Sequence, residues 1–111
     1  MKKATVMKLL YIRVQEVMEK EQPYLDPGLT LNKLARIVGT NRTNLSLVLN
    51  SLAKQNFCKW IATYRVGHLI RQIELHPDKS PTELYPLSGF TSRTSFFRQF
   101  KEVTGKSPRK L

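Results

Sequence analysis

The chain has 111 residues, 41% of them hydrophobic, which is enough for one small domain or two very small subdomains. Nineteen lysines and arginines against eight acidic residues give a formal net charge of +11, a surplus typical of proteins that neutralise nucleic-acid phosphates. A single cysteine excludes an internal disulfide and a multi-cysteine zinc site, and no apolar run reaches the roughly 20 residues of a membrane span, so we expect a reduced, cytoplasmic setting and no membrane partner.

The N-terminal stretch predicts an amphipathic helix over residues 5–20 that ends near Glu21. Lys8 and Arg13 interrupt its apolar residues, so the stretch does not have the pattern of a signal peptide. The sequence "PYLDPG" then breaks the chain with two prolines and a glycine. The apolar positions at helical spacing are Val6, Leu9, Leu10, Val14, Val17 and Met18.

A helix, a three-residue turn and a second helix are predicted next. Thr30 is the expected N-cap of a helix over residues 31–38. Gly39 ends that helix, because a residue without Cβ tolerates a positive φ, and Asn41 caps a second helix over residues 42–55. This order is the outline of a DNA-binding helix-turn-helix. The expected inward residues are Leu31, Leu34, Ala35 and Val38, followed by Leu45, Val48, Leu49 and Leu52.

Residues 58–75 predict a long connecting helix, which His76 ends because it precedes Pro77. Gly67 costs about 1 kcal/mol relative to alanine in a helix interior, so we expect a packing reason for it. We expect Cys58 to be a packed structural thiol. The residues available for burial are Trp60, Ile61, Tyr64, Leu69 and Ile73.

The helix-turn-helix pattern then repeats. Ser80 is the expected N-cap of a short helix with Pro81 and Glu83 in its first turn, and Pro86 limits that helix to one or two turns. Gly89 is the turn glycine, and Thr91 or Ser92 caps a last helix over residues 93–103. The expected apolar anchors are Leu84, Leu87 and Phe90 before or at the turn, and Phe96, Phe100 and Val103 after it.

Polar and cationic residues cluster where both second helices begin. A glycine precedes an arginine–threonine pair in "VGTNRTNLSLVLN" and again in "SGFTSRTSFFRQF". Arginine reads guanine with two hydrogen bonds, asparagine reads adenine, and serine or threonine bind bases or phosphates. A solvated helix face explains each residue singly as well as DNA contact does, but the combination favours DNA. The candidates are Arg42, Thr43, Asn44 and Ser46 in the first unit and Arg93, Thr94, Ser95 and Arg98 in the second, with Lys54, Lys101 and Lys106 positioned for phosphates.

Two other classes of function are weighed against DNA binding. A basic helical RNA-binding or protein-interaction module is the alternative, although RNA readers offer exposed aromatics and these phenylalanines have the spacing of a core. For Phe97 we favour packing on the partner unit over contact with a thymine methyl. His68 and His76 lack metal-ligand spacing, and Cys58 lacks a base partner, so we expect no enzyme, no metal and no cofactor.

The stretch "GFTSRTSFFRQFKEVTGKSP" resembles the C-terminal signature of AraC/XylS-type transcription regulators: a turn Gly-Phe, a serine, a phenylalanine-rich recognition helix and a G-x-x-P ending. The upstream stretches "LTLNKLARIVGTNRTNLS" and "FCKWIATYRVGHLIRQI" are also similar to this family. The resemblance covers about residues 29–111. "YLDPGLTL" and "NRTNLS" resemble the branch of the family found in Bacteroides-type bacteria.

The resemblance implies an all-α domain of about seven helices, in which a long linker helix joins two helix-turn-helix subdomains. It implies boundaries of 1–28 for an N-terminal helix and linker, 29–56 for the first subdomain, 57–76 for the linker helix and 77–111 for the second subdomain. Both recognition helices are expected in successive major grooves, about 34 Å apart. The base-reading positions carry over to Thr43, Ser46 and Leu47 and to Arg93, Thr94 and Arg98.

The sequence departs from the family pattern at a few positions. Leu47 stands where a cation is frequent, which either weakens base reading by the first unit or shifts it towards Arg42. Leu69 and Gln72 replace an alanine and a leucine usual in the linker helix. Family members usually carry a separate sensing or dimerisation domain. The expected partners are therefore double-stranded DNA and either RNA polymerase or such a domain.

Overall fold

The computed structural model describes residues 2–108, and every regular element in that range is helical, which confirms the predicted all-α class. The range holds one α-helix fewer than the seven or so that the resemblance implies. Short 3-10 turns lie at Pro23–Leu25 and Tyr85–Ser88, and a π-helical segment at Leu49–Ala53. The α-helices are α1 (Lys3–Lys20), α2 (Leu31–Val38), α3 (Arg42–Val48), α4 (Phe57–Leu75), α5 (Pro81–Leu84) and α6 (Arg93–Thr104).

Local sequence signals start and stop these helices as predicted. Four N-cap side chains each accept a hydrogen bond of 2.8–3.2 Å from the backbone N–H three residues on, and caps of this kind contribute about 1 kcal/mol each. Of the two candidates for the last cap, Ser92 is the one used. Gly39 and Gly89 adopt φ of 78° and 86°, as a tight helix-ending turn requires. The confirmed caps are Thr30, Asn41, Ser80 and Ser92.

The chain divides into two compact units. The first comprises the residues up to Pro23 together with Gly28–Trp60, and the second comprises Tyr24–Pro27 together with the residues from Ile61 onward. In the first unit α1 packs against both α2 and α3. The fully buried side chains of these three helices include Val14, Met18, Leu34, Val38, Leu45 and Val48.

The core of the second unit is built around Phe96, which is fully buried. The rings of Phe90 and Phe100 lie 5.5 and 5.9 Å from it in tilted and edge-on arrangements, and Tyr85 stacks on it at 4.9 Å. Aromatic pairs of this geometry contribute about 1 kcal/mol beyond the area they bury. Val66, Leu69 and Leu84 complete the buried cluster.

The first unit departs from the prediction at two helices. The helix expected over residues 42–55 is α-helical only to Val48 and continues as the π segment, which ends at Lys54 with φ 58°. The wider turn of a π-helix rotates the following side chains, so Leu52 is only partly buried. On α1, Val6 and Leu9 are exposed although both were counted with the apolar residues, and Leu9 lies on the side opposite the buried Val14 and Met18.

Two of the apolar anchors expected in the second unit were wrong. Leu87 is 57% exposed, because Pro86 ends α5 and the following residues turn as a 3-10 helix, which directs Ser88 inward instead. Val103 is 39% exposed, because the apolar cluster of this unit reaches only as far along α6 as Phe100.

Two expectations for α4 were also wrong. No atom of another element lies within 4 Å of the Cβ that an alanine at Gly67 would carry, so no packing constraint requires glycine there. Cys58, in the first turn of α4, is exposed and is therefore not the packed thiol that was expected. Trp60, Ile61 and Leu69 are buried as predicted, and Tyr64 and Ile73 are partly buried.

Candidate nucleic-acid interface

The first candidate surface is the outer face of α3. Arg42, Thr43, Ser46 and Leu47 line one open depression of about 430 Å³, and a fifth residue, Asn50, completes it. The Asn50 side chain donates a 2.9 Å hydrogen bond to the carbonyl oxygen of Ser46, which fixes its amide against the helix. Four predicted residues therefore lie together on one face.

The sequence did not predict Asn50 as a site residue, because the candidates were taken only from the first two turns of the helix. The signal for it is helical spacing: residues 43, 46, 47 and 50 follow the i, i+3, i+4, i+7 pattern of a single face. The structure separates the fifth predicted residue, Asn44, from this face. Asn44 lines a smaller groove of about 120 Å³ between α3 and α1, together with Val6, Leu10 and Leu47 among others.

The second candidate surface is the exposed face of α6. Thr94, Arg98 and Lys101 are all exposed and follow the i, i+4, i+7 spacing, so they form one stripe. Arg93 lies elsewhere on the first turn, with its guanidinium carbon 5.4 Å from the ring centroid of Phe97. This cation–π contact holds an exposed arginine at the helix start.

Ser95 and Phe97 are less accessible than the other residues of α6. The Ser95 hydroxyl accepts a 2.8 Å hydrogen bond from the side-chain nitrogen of Gln99, and Ser95 is only partly exposed. Phe97 packs against Phe96 within its own unit, with ring centroids 5.1 Å apart.

The electrostatic setting of α3 and α6 is alike. Neither helix has an acidic residue in its first turn, so no carboxylate competes for the N-terminal N–H groups and their positive dipole end. Helix N-termini of this kind bind phosphate readily. Lys54 and Lys106, which we expect to contact phosphates, are both exposed.

The turn before α6 is held by residues from α4 and from Tyr24–Pro27. The Arg65 guanidinium donates hydrogen bonds to the carbonyl oxygens of Tyr24 and Asp26, at 2.7 and 3.0 Å. Ser88, fully buried just before Gly89, is hydrogen-bonded to Nδ1 of His68 at 2.7 Å. Burial and the neighbouring Arg71 guanidinium lower the pKa of His68 below its usual value, so this imidazole is held in its neutral form.

Among residues 2–108, no three His, Cys, Asp or Glu side chains lie close enough together to hold a metal ion. Over those residues, no helix is both long enough and apolar enough to cross a bilayer.

Comparison with known proteins extends these observations. The model of a family described as "Helix-turn-helix domain" matches residues 34–111, which is more than half of the chain. Uncharacterised HTH-type transcriptional regulators from Staphylococcus aureus strains COL and N315 are 26% identical over 97 residues. That alignment covers 87% of this chain but only 13% of each regulator, so the chain spans about an eighth of the length of these relatives.

Two solved structures share the fold. A protein of unknown function from Listeria innocua superposes with a TM-score of 0.70 at 24% identity, covering 87% of this chain and 91% of that one. The C-terminal domain of AraT, a response regulator from Geobacillus stearothermophilus, gives a TM-score of 0.72 at 18% identity, covering 91% of this chain and 80% of that one. At these identities the likeness is one of fold.

Proposed function

The chain belongs to the AraC-type helix-turn-helix domain family, and we propose that it binds double-stranded DNA sequence-specifically through α3 and α6 in the control of transcription. One observation carries this proposal: two helix–turn–helix elements each present an N-capped second helix whose first turn holds exposed polar residues and no carboxylate. One such helix is common in proteins, whereas two copies in a chain of net charge +11 favour a duplex with two adjacent grooves.

In the first unit we assign base contact to the face of α3 that lines the 430 Å³ depression. Thr43 and Ser46 offer hydroxyls, and Leu47, 42% exposed, offers an apolar surface suited to a thymine methyl. Arg42 at the helix start is the cation that replaces the one missing at position 47. Asn50 adds an amide suited to adenine, while Asn44 lies at the α1 side of the helix, where phosphate contact suits it better.

In the second unit we assign base contact to Arg93, Thr94 and Arg98 and phosphate contact to Lys101. Arg98 and Thr94 share an exposed stripe, and Arg93 stands at the helix start, where recognition helices meet base edges. The hydrogen bond from Gln99 occupies one lone pair of the Ser95 hydroxyl, so we give Ser95 a lesser part. With two arginines, α6 is better equipped than α3 to discriminate guanine.

The proposed arrangement places α3 and α6 in successive major grooves, about 34 Å apart along one face of the duplex. In this arrangement the first DNA-binding subdomain is residues 29–56, the linker helix is residues 57–76 and the second DNA-binding subdomain is residues 77–111, as the sequence predicts. Because the similar regulators are much longer than this chain, we also propose that RNA polymerase or a sensing domain acts as a further partner.

The alternative of an RNA-binding or protein-interaction module is less well supported. Stacking on single-stranded bases needs exposed aromatic faces. Phe96 and Phe100 are fully buried and Phe90 nearly so, which leaves only the partly buried Phe97 on α6. Competition between duplex DNA and single-stranded RNA at one salt concentration separates the two functions, and we expect the duplex to win.

The decisive experiment selects bound sequences from random duplex DNA and then titrates variants against the selected site. Arg98→Ala should weaken binding by about 1–3 kcal/mol and relax the preference at one base pair, because a bidentate contact to guanine is lost. Lys101→Ala should weaken binding to all sequences about equally and reduce the salt slope by about one. Lys20→Ala, an exposed lysine at the end of α1, is the matched control and should change neither.

Two outcomes would contradict the proposal. If selection enriches no sequence, the chain does not read bases. If Arg98→Ala lowers affinity without altering the preferred sequence at any position, α6 contacts phosphates only. A selected site with two unlike half-elements one helical turn apart supports reading by both helices.

A further inference from the structure

Helix α1 carries a second surface that DNA binding does not use. Five of its outward positions and the N-cap residue Lys2, all exposed, follow the alternating three- and four-residue spacing of a coiled-coil seam. The central pair is apolar, and Leu9 and Ile12 are 52% and 50% exposed. The six seam residues are Lys2, Thr5, Leu9, Ile12, Glu16 and Glu19.

We infer that this seam is a self-association surface, on which α1 of a second copy packs antiparallel. The occupant is identified by charge: within the seam, the cation Lys2 lies at the N-terminal end and the carboxylates of Glu16 and Glu19 lie at the C-terminal end. In an antiparallel pair the seam runs in opposite directions in the two copies, so the first seam residue of one copy faces the last seam residue of the other, and so on inward. Lys2 then faces Glu19 of the other copy, and Leu9 faces its Ile12.

A parallel pair has the opposite electrostatics. It sets Lys2 against Lys2, and Glu16 and Glu19 against themselves, so like charges meet at both ends of the seam. Only the antiparallel pairing places opposite charges at both ends and apolar residues in the centre. It is also isologous, because the same residues contribute from each copy, which is the arrangement of a two-fold dimer.

The opposite side of α1 packs against α2 and α3 of its own unit, so the seam faces outward. Val14 and Met18 are fully buried against the first unit, and Leu9 lies on the opposite side of the helix. Arg13 is turned towards Gly39, with its guanidinium nitrogen 3.3 Å from the position a Cβ would take there. Its charge is thereby drawn towards α2 and away from the centre of the seam.

The seam is short, so the association is weak and reversible. Two copies of a strongly cationic chain also repel, but at 0.15 M salt repulsion is screened beyond about 8 Å, while the paired charges at the seam ends are in contact. We therefore expect the chain to be mostly monomeric near 10 µM and to form a measurable fraction of dimer as its concentration approaches roughly 1 mM.

Sedimentation equilibrium of the 111-residue chain over that range, at 0.15 M salt, is the test. Leu9→Asp should weaken the dimer about tenfold or more, because it buries an unpaired carboxylate in the apolar centre. Leu75→Asp on α4 is the matched control, since Leu75 is 69% exposed and outside the seam, and it should leave the dimer unchanged. Circular dichroism checks that each variant keeps its helix content.

The orientation is tested by charge reversal. Glu19→Lys should weaken the dimer, and adding Lys2→Glu to the same chain should restore it, because each Lys2–Glu19 pair is then re-formed with its charges exchanged. The inference is overturned if the wild-type chain stays monomeric over the whole range, or if Leu75→Asp weakens association as much as Leu9→Asp. The antiparallel arrangement is overturned if the chain that carries both Glu19→Lys and Lys2→Glu dimerises no better than the chain with Glu19→Lys alone. DNA binding by the monomer does not depend on any of these outcomes.

Discussion

Gly89 lies where the turn before α6 meets Tyr24–Pro27, so its replacement by alanine is a demanding test of the turn. Its φ is 86°, and the Cβ of an alanine would collide with the carbonyl oxygen of Tyr24 and lie 2.9 Å from Nε of Arg65. Two other glycines share the conformation without the crowding. Gly105 has open space around the same position, and Gly39 meets only the end of the flexible Arg13 side chain.

The expected costs follow from these differences. A left-handed residue with a Cβ costs roughly 1–2 kcal/mol, which applies to all three glycines. At Gly89, Tyr24–Pro27 must also move away, which breaks the two hydrogen bonds that Arg65 donates to it. Hydrogen bonds from a charged group contribute about 1.5–3 kcal/mol each. Together these contributions predict that Gly89→Ala destabilises the chain by about 4–8 kcal/mol, which is comparable with the whole stability of a small protein.

Urea unfolding followed by circular dichroism at 222 nm measures the three variants side by side. Gly39→Ala and Gly105→Ala should lower the free energy of unfolding by about 1–2 kcal/mol, and Gly89→Ala by at least twice as much. Arg65→Ala, measured alone, reports the part of the cost that comes from releasing Tyr24–Pro27. If Gly89→Ala costs no more than Gly105→Ala, Tyr24–Pro27 does not press against the turn and the reasoning is refuted.

Three further substitutions are predicted from local geometry. Gly67→Ala should raise the free energy of unfolding by about 1 kcal/mol, because the added methyl meets no atom of another element, and a thermal melt that does not rise contradicts this. Lys54→Gly should stabilise by up to about 1 kcal/mol in urea titrations by relieving a φ of 58°, and it should also weaken DNA binding if Lys54 makes the phosphate contact that we propose. The pKa of His68 is lower in the folded chain than in the unfolded chain, so the unfolded chain binds more protons as the pH falls. The stability that this imidazole contributes is therefore complete above about pH 6.5 and is lost as the pH falls below that value. His68→Gln, which keeps a polar partner for Ser88, should therefore flatten the fall in urea midpoint between pH 7 and 5, and an unchanged slope would assign it to other groups.

Sequence reasoning succeeded wherever the cause of a structure is local. Thr30, Asn41, Ser80 and Ser92 cap their helices because each side chain reaches a backbone N–H three residues away, and no distant contact is required. The two helix–turn–helix elements follow directly from these caps and from the glycines behind them. The burial of Phe96 and Phe100 follows from their spacing on one helix face.

Sequence reasoning failed where the burial or packing of a residue depends on contacts with other elements of the fold. Leu87 has the spacing of a core residue, but the 3-10 turn after Pro86 directs it outward. Gly67 and Cys58 were assigned packing roles because their residue types usually have them, and no neighbouring element approaches either position closely enough to create one. At the proposed interface, Asn50 falls in the second half of its helix, outside the first turns to which the chemistry of recognition helices drew attention.

The two turns differ in what holds them, and this difference bears on how each recognition helix is presented. The turn before α3 depends on the Gly39 conformation and the Asn41 cap, both encoded within a few residues. The turn before α6 has the same local devices and, in addition, the Arg65 and His68 hydrogen bonds from α4 and the close approach of Tyr24–Pro27.

Orientation of α6 is therefore set by residues more than 20 positions away in sequence, none of which is proposed to touch DNA. Because base contacts demand placement of a side chain to within a fraction of an ångström, changes at Arg65 or His68 should reduce sequence discrimination by the second unit while leaving its charge-driven affinity largely intact. For α3, whose turn has the Gly39 conformation and the Asn41 cap close at hand in the sequence, substitutions on the helix and its cap should have the larger effect on discrimination. In the proposed function, the second unit supplies the two arginines, and it is also the unit in which Arg65 and His68 of α4 hold the turn before the proposed recognition helix.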